Sequence, residues 1–169
     1  MSTISHGGIH NPATPTWFNT AERVRKLQIA SAAWVGTPFR NNSRVAGERG
    51  GVDCKNLASE VFFECGCLDR FDLPRLTVRQ LQGQGATEAL ITYVDEHLAS
   101  KFCKVDVDIE PVVTGDLVVM RDERMLKHVG IVQPAGYLLH VLTFCGVMLS
   151  HVIDPTYGRI IEHIRRPKP

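Results

Sequence analysis

Two glycines, an aspartate and a cysteine stand directly before an apolar run in the stretch RGGVDCKNLASEVFFECG, residues 49–66. Leu57, Ala58, Val61, Phe62 and Cys65 repeat there at helical spacing and Gly66 follows, so a helix is expected to begin at Cys54. A helix start presents unpaired N–H groups and a partial positive charge. A thiolate is stabilised there, which predicts a Cys54 pKa below the free value of about 8.5. Asp53 is the natural N-cap. Its charge opposes thiolate formation, so a cation must help: Lys55 next door, or a histidinium from elsewhere. Gly50 and Gly51 lack side chains and leave room for another backbone or a substrate. The Cys54 N–H is then placed to face a developing oxyanion. The other cysteines of the five, Cys65, Cys67, Cys103 and Cys145, lack such surroundings and read as small apolar fillers. An odd count at irregular spacing is no disulfide framework and fits a reducing compartment.

A nucleophilic cysteine needs a base, itself held by a third group. Of seven histidines, two fall in one hairpin, KHVGIVQPAGYLLHV, with His128 on its first strand and His140 on its second. Pro134-Ala135-Gly136 suits a three-residue loop with glycine in the left-handed position. That loop pairs Gln133 with Tyr137 and Gly130 with His140. His128 and His140 then share one face as diagonal neighbours, ~7–8 Å apart at the backbone and within reach of two imidazoles. Gly130 opposite His140 leaves room for its ring. Both faces of the hairpin are apolar, so a helix is expected to cover the histidine face in part, the second helix bringing Cys54 to His128. His97, His151 and His163 have no such partner and read as surface residues. His6 and His10 sit in a Gly/Pro-rich start that reads as a mobile tail.

Helices come first and strands after. NTAERVRKLQIASAAWVG forms the first helix, capped by Asn19 with Glu22 reaching back, and Val24, Leu27, Ser31 and Trp34 line one face. A third helix runs from about Thr87 to Ala99. After Ser100 the period changes to two, in KVDVDIE, DLVVM, HVGIVQ, YLLHVL, GVMLSHVI and RIIEHI. The expected class is α+β: N-terminal helices packed on an antiparallel sheet of about five strands. Residues 1–18 are expected to be a tail and 19–169 one domain. Asp106-x-Asp108-x-Glu110 resembles half a calcium loop, but Pro111 stands where glycine is needed, and a solvated strand edge is the better reading. The 169 residues are 44% apolar and 22% charged with net charge +1, which gives no support to a polynucleotide or anionic membrane partner. No secretory leader or membrane-spanning run stands out, so synthesis in the cytoplasm without a signal peptide is the expectation.

In order, AAWVGTPFRNN, GGVDC, PVVTGDLVVM, KHVGI and LLHV…GV resemble the NlpC-type papain-like cell-wall cysteine peptidases over roughly Gln28 to His151. The WVGTPFRNNSRVAG approach and the DPTYGRIIEHIRRP ending are most similar to the phage-tail and prophage subgroup. The resemblance implies a papain-like fold, Cys54 as nucleophile, His128 as general base and His140 as the third, orienting residue. It implies hydrolysis of amide bonds in peptidoglycan stem peptides without metal or cofactor. It also implies possible partners among phage-tail-like assembly proteins and delivery to the wall by a phage-like particle. Phe39, Gly51, Asp53 and Lys55 fall in the substrate-binding or oxyanion region. Phe39 stands where the family usually has tyrosine, and Lys55 and Asn56 replace the common serine and glycine. Two alternatives stay open: a thiol acyltransferase, and a non-catalytic tail or interaction module of the same fold.

Overall fold

The computed structural model describes residues 14–77, 85–121, 128–152 and 160–169. His6, His10, Lys127 and residues 154–159 of the terminal motif lie outside them. Helix α1 (Ala21–Trp34) is capped by Thr20, whose side chain accepts from the Arg23 N–H at 3.3 Å. Asn19, the expected cap, lies one residue too early and instead accepts from the Arg23 guanidinium at 3.2 Å. Strands β1 (Arg44–Val45) and β2 (Gly51–Val52) form a two-stranded antiparallel pair. Helix α2 (Cys54–Glu64) follows and ends in a Schellman turn. Gly66 takes φ 76°, and the Cys67 and Gly66 N–H groups bond the Phe62 and Phe63 carbonyls, each at 2.9 Å. Helix α3 spans Gly85–His97.

The remaining strands are β3 (Phe102–Val105), β4 (Leu117–Arg121), β5 (His128–Val132), β6 (Tyr137–Leu142), β7 (Gly146–His151) and β8 (Ile160–Pro167). They make one antiparallel sheet of six strands in the order β3-β8-β4-β5-β6-β7, with three helices packed against it. The α+β expectation holds; the sheet has one strand more than expected. The alternating run after Ser100 is strand only as far as Val105. Beyond it the Asp106 carbonyl accepts from the Ile109 and Glu110 N–H groups and closes a turn.

Because side chains alternate, the sheet carries two cores. On one face Leu117, Val119, Val129, Ile131, Leu139, Val141 and Val147 pack with Leu27, Trp34, Leu57, Ala58, Val61 and Leu90 of the helices. On the other, Val105, Val118, Met120, Val132, Leu138, Val152 and Ile164 cluster. Helix α2 is buried on every side in its first turns, including Lys55, Asn56, Ser59 and Glu60. Its polar side is satisfied by covering chain: Ser59 donates to the Phe71 carbonyl (2.8 Å), Arg44 bonds Asn56 (2.9 Å), and Arg44 and Arg70 pair with Glu60 (3.3 and 2.8 Å).

Residues 14–18, expected to belong to the tail, are held by the fold. The Trp17 N–H bonds the Pro167 carbonyl at 2.8 Å, Phe18 is buried, and Thr14 bonds Glu110. Arg166, fully buried on β8, donates twice to buried Asp116 (2.9 and 3.0 Å) and once each to Glu110 (2.8 Å) and the Thr14 (3.0 Å) and Pro111 (3.1 Å) carbonyls.

Arg165 makes a two-pronged pair with Asp95 of α3 at 2.6 and 2.9 Å. The Arg165 bond, more than the added Lys104 contact, holds the Asp95 carboxyl below its ordinary value. A lowered carboxylate stabilises the fold above its unfolded pKa of ~3.9, and that contribution is lost as pH falls through the lower folded value. Asp95→Asn is therefore expected to cost roughly 1–2 kcal/mol at neutral pH and progressively less in acid. Asp116, whose carboxyl burial raises, titrates in the opposite sense and is common to both proteins. Urea midpoints of wild type and variant across pH test this; a gap that does not narrow in acid contradicts it.

Candidate active site

Cys54 is the first residue of α2, as expected, and Asp53 caps it: one carboxylate oxygen accepts from the Asn56 N–H at 2.9 Å. The other accepts from the Asn42 N–H at 2.7 Å and lies 3.4 Å from the Lys55 ammonium, both residues of that ion pair being buried. Asn42 also clamps Leu76, its amide bonding both backbone groups of that residue (3.0 and 3.1 Å). Phe39 bridges to Val52, and the Val52 N–H and carbonyl pair with Pro38 and Arg40, each at 3.0 Å. These bonds fix the chain two residues before the thiol. The spaces left by Gly50 and Gly51 are filled from within: a Cβ on Gly50 would meet the Val45 carbonyl, and one on Gly51 the stem of Arg40. The glycines admit the protein's own chain, the first of the two occupants expected there.

The thiol itself departs from expectation. Cys54 is partly buried as a residue, and burial, and then the Asp53 charge, push its pKa up to about 11. A hydrogen bond with the Thr87 side chain, one from the Lys55 N–H, and the Lys55 charge pull the other way without prevailing. Helix position alone does not make this thiol acidic, because the capping carboxylate and lost solvation outweigh the dipole. Burial likewise raises Cys65, to about 11, and Cys67 and Cys103. Thr87, buried in the first turn of α3, carried no sequence signal, since its contact with Cys54 is made only in three dimensions. Thr87→Val removes a donor to the sulfur and is expected to shift the pH dependence of Cys54 alkylation to higher pH with little change in Tm; an unshifted profile would show that the hydroxyl does not stabilise the thiolate.

The hairpin has the expected register. The Gln133 N–H bonds the Tyr137 carbonyl at 2.7 Å, Gly136 takes φ 74°, and Gly130 pairs with His140. His128 and His140 are both buried, their rings 5.3 Å apart and inclined by 24°. The nearest atoms to the space at Gly130 are those of Leu138, whose Cδ1 would lie 2.7 Å from an added Cβ. The expectation that a helix covers the histidine face is also corrected. By alternation His128 and His140 share the face of Val118, Met120, Val132 and Leu138, whereas α2 packs on the opposite one and Cys54 packs with that helical core. His128 is the first residue of β5 and Cys54 the first of α2, so the two belong to the ends of their elements.

Ser150, on β7, was not singled out in the sequence; its Oγ lies 2.8 Å from His140 Nε2. A serine in an alternating strand carries no signal of its own, and only the β6–β7 register, pairing Leu138 with Ser150 and His140 with Met148, brings it diagonal to the ring. Among the described residues no three His, Cys, Asp or Glu side chains converge as a metal ion needs, and no helix is long and apolar enough to cross a membrane.

No family model matches the chain. Among curated proteins it is 30% identical over 149 residues to a probable endopeptidase of Haemophilus influenzae, covering 85% of this chain and 74% of that one. Among solved structures it is similar to an NLP/P60-family lipoprotein-like protein of Staphylococcus aureus (TM-score 0.53, 14% identity, 95% of this chain and 45% of that one). It is also similar to NlpC1 of Trichomonas vaginalis (TM-score 0.53, 16% identity, 90% and 46%). A third neighbour, RipD of Mycobacterium tuberculosis, is described as a non-catalytic NlpC/p60 domain protein adapted to peptidoglycan binding (TM-score 0.51, 17% identity, 85% and 96%). The chain spans less than half of the Staphylococcus and Trichomonas proteins. At these identities the structural likeness speaks for the fold.

Proposed function

The chain belongs to the NlpC/P60 family, and from that premise we propose that it is a cysteine hydrolase cutting amide bonds in peptidoglycan stem peptides. The observation that carries the reading is the His128–His140 pair, set on adjacent strands by the hairpin register in a chain whose α2 begins with a capped cysteine. In this reading His128 takes the proton from Cys54 Sγ, and the sulfur attacks the amide carbonyl carbon. The tetrahedral oxyanion meets the Cys54 N–H at the start of α2, the Asn56 N–H there being held by Asp53. His128 then passes the proton to the leaving nitrogen as the C–N bond breaks, leaving a thioester that water resolves. His140 orients the His128 ring. The reaction requires the sulfur to meet His128 where β5 begins. Phage-tail-like partners and delivery by a phage-like particle belong to the same proposal, and co-purification with tail particles tests them.

A second reading is favoured by one specific observation: burial, and then the Asp53 charge, raise the thiol to about 11. It is a peptidoglycan-binding module without turnover. Mass spectrometry of defined muropeptides separates the two. Cleavage by the wild type and none by Cys54→Ala supports the hydrolase; intact muropeptides with both, alongside retention on sacculi, supports the binding module.

A further inference from the structure

Ser150 is a polar group bonded to the histidine pair, and what it offers differs from the carboxylate partner of an orienting imidazole. Its Oγ, on a buried residue of β7, lies 2.8 Å from His140 Nε2. The ring sits between that hydroxyl and the His128 ring at 5.3 Å. Its other neighbours on this face are Gly130 on β5 and Met148 on β7, so the titratable group facing it from the adjacent described strands is His128.

A carboxylate only accepts hydrogen bonds, and it favours the histidine form protonated at the nitrogen it holds. A hydroxyl donates or accepts by turning about its C–O bond. It therefore keeps its bond to Nε2 in either neutral tautomer of His140 and in the imidazolium. We propose that Ser150 is a positioning residue of the catalytic line: it fixes where the His140 ring lies without fixing where the ring's proton lies. His140 can then accept the N–H of neutral His128, which leaves the lone pair of the second His128 nitrogen for the thiol proton, and it can keep that bond once His128 is an imidazolium. This rests on the hydrolase reading given above.

Three variants test it by steady-state hydrolysis of a defined muropeptide, with the histidine ring nitrogens followed by 15N NMR. Ser150→Ala removes the hydroxyl and is expected to lower kcat about ten- to hundredfold, the range for a misplaced catalytic group, with KM within about twofold. Ser150→Thr keeps a hydroxyl and restores most of kcat. Ser150→Asp keeps a partner but favours imidazolium, moving the acid limb of the kcat profile to higher pH. In Ser150→Ala the His140 Nε2 resonance shifts while other ring signals hold. A Ser150→Ala enzyme that matches a wild type turning over normally overturns this proposal alone. So does an unchanged His140 signal, or a threonine variant as poor as alanine. A wild type that cleaves nothing removes the hydrolase reading and this proposal with it.

Discussion

Cys54→Ala is expected to end muropeptide hydrolysis, and His128→Ala to lower it nearly as far, each by about 10⁴-fold or more. The second figure follows from the thiol. With a pKa of about 11, a sulfur left to itself at pH 7 is ionised in about one molecule in ten thousand. Nucleophilic attack needs the thiolate. His128 must therefore lift the proton within the encounter, and without it the residual rate scales with that small fraction. The His128→Ala rate should accordingly rise about tenfold per pH unit through the alkaline range, as the thiolate population grows. Alkylation by iodoacetamide is the substrate-free counterpart. In the wild type the His128 ring should take the thiol proton as the sulfur attacks, so Cys54 should react faster below pH 11 than in His128→Ala, whose rate follows the thiolate alone. Identical alkylation profiles for the two proteins would show that the ring does not act on the sulfur, and would leave the binding module as the better reading.

Asp116→Ala is expected to cost about 3–5 kcal/mol, the range for stripping one partner from a buried ion pair, out of a total stability of about 5–15 kcal/mol. Both Asp116 and Arg166 are fully buried, and two parallel bonds at 2.9 and 3.0 Å join them. Asp116 also accepts from the Val113 N–H at 2.9 Å, so its loss orphans a guanidinium and a loop amide together. Arg166 retains Glu110 and two carbonyls, which softens the loss without restoring a buried counter-charge. Urea unfolding measures it. Should Asp116→Ala prove too unstable to purify, the double variant Asp116→Leu with Arg166→Met removes both charges and should lose much less than the two single changes summed. Additive losses would mean the pair is not coupled as its geometry indicates.

What could be read along the chain was local. Asp53 before Cys54, Gly66 after the apolar run, and Pro134-Ala135-Gly136 between two alternating segments each act within a few residues, and the cap, the helix end at Gly66 and the Gly130–His140 register all formed as expected. The failures concern surroundings. A cap position says nothing about lost solvation, so the sequence points to a lowered Cys54 pKa where burial raises it. Period two shows that His128 and His140 share a face but not which layer covers it, because both faces are apolar. Thr87 and Ser150 meet their partners across α3–α2 and β7–β6 contacts. Ser59 and Glu60 are buried because residues 44 and 70–71 close over the polar side of α2, which its helical spacing alone marks as outward-facing.

The enclosure of α2 bears on how the protein fails. The enclosed first turns open only when the molecule around them opens, so the amides there should be among the slowest to exchange with deuterium. The sulfur rides on the first of those residues. Denaturant should then extinguish turnover and global structure along one curve, with no early window in which the scaffold persists but the nucleophile has come adrift.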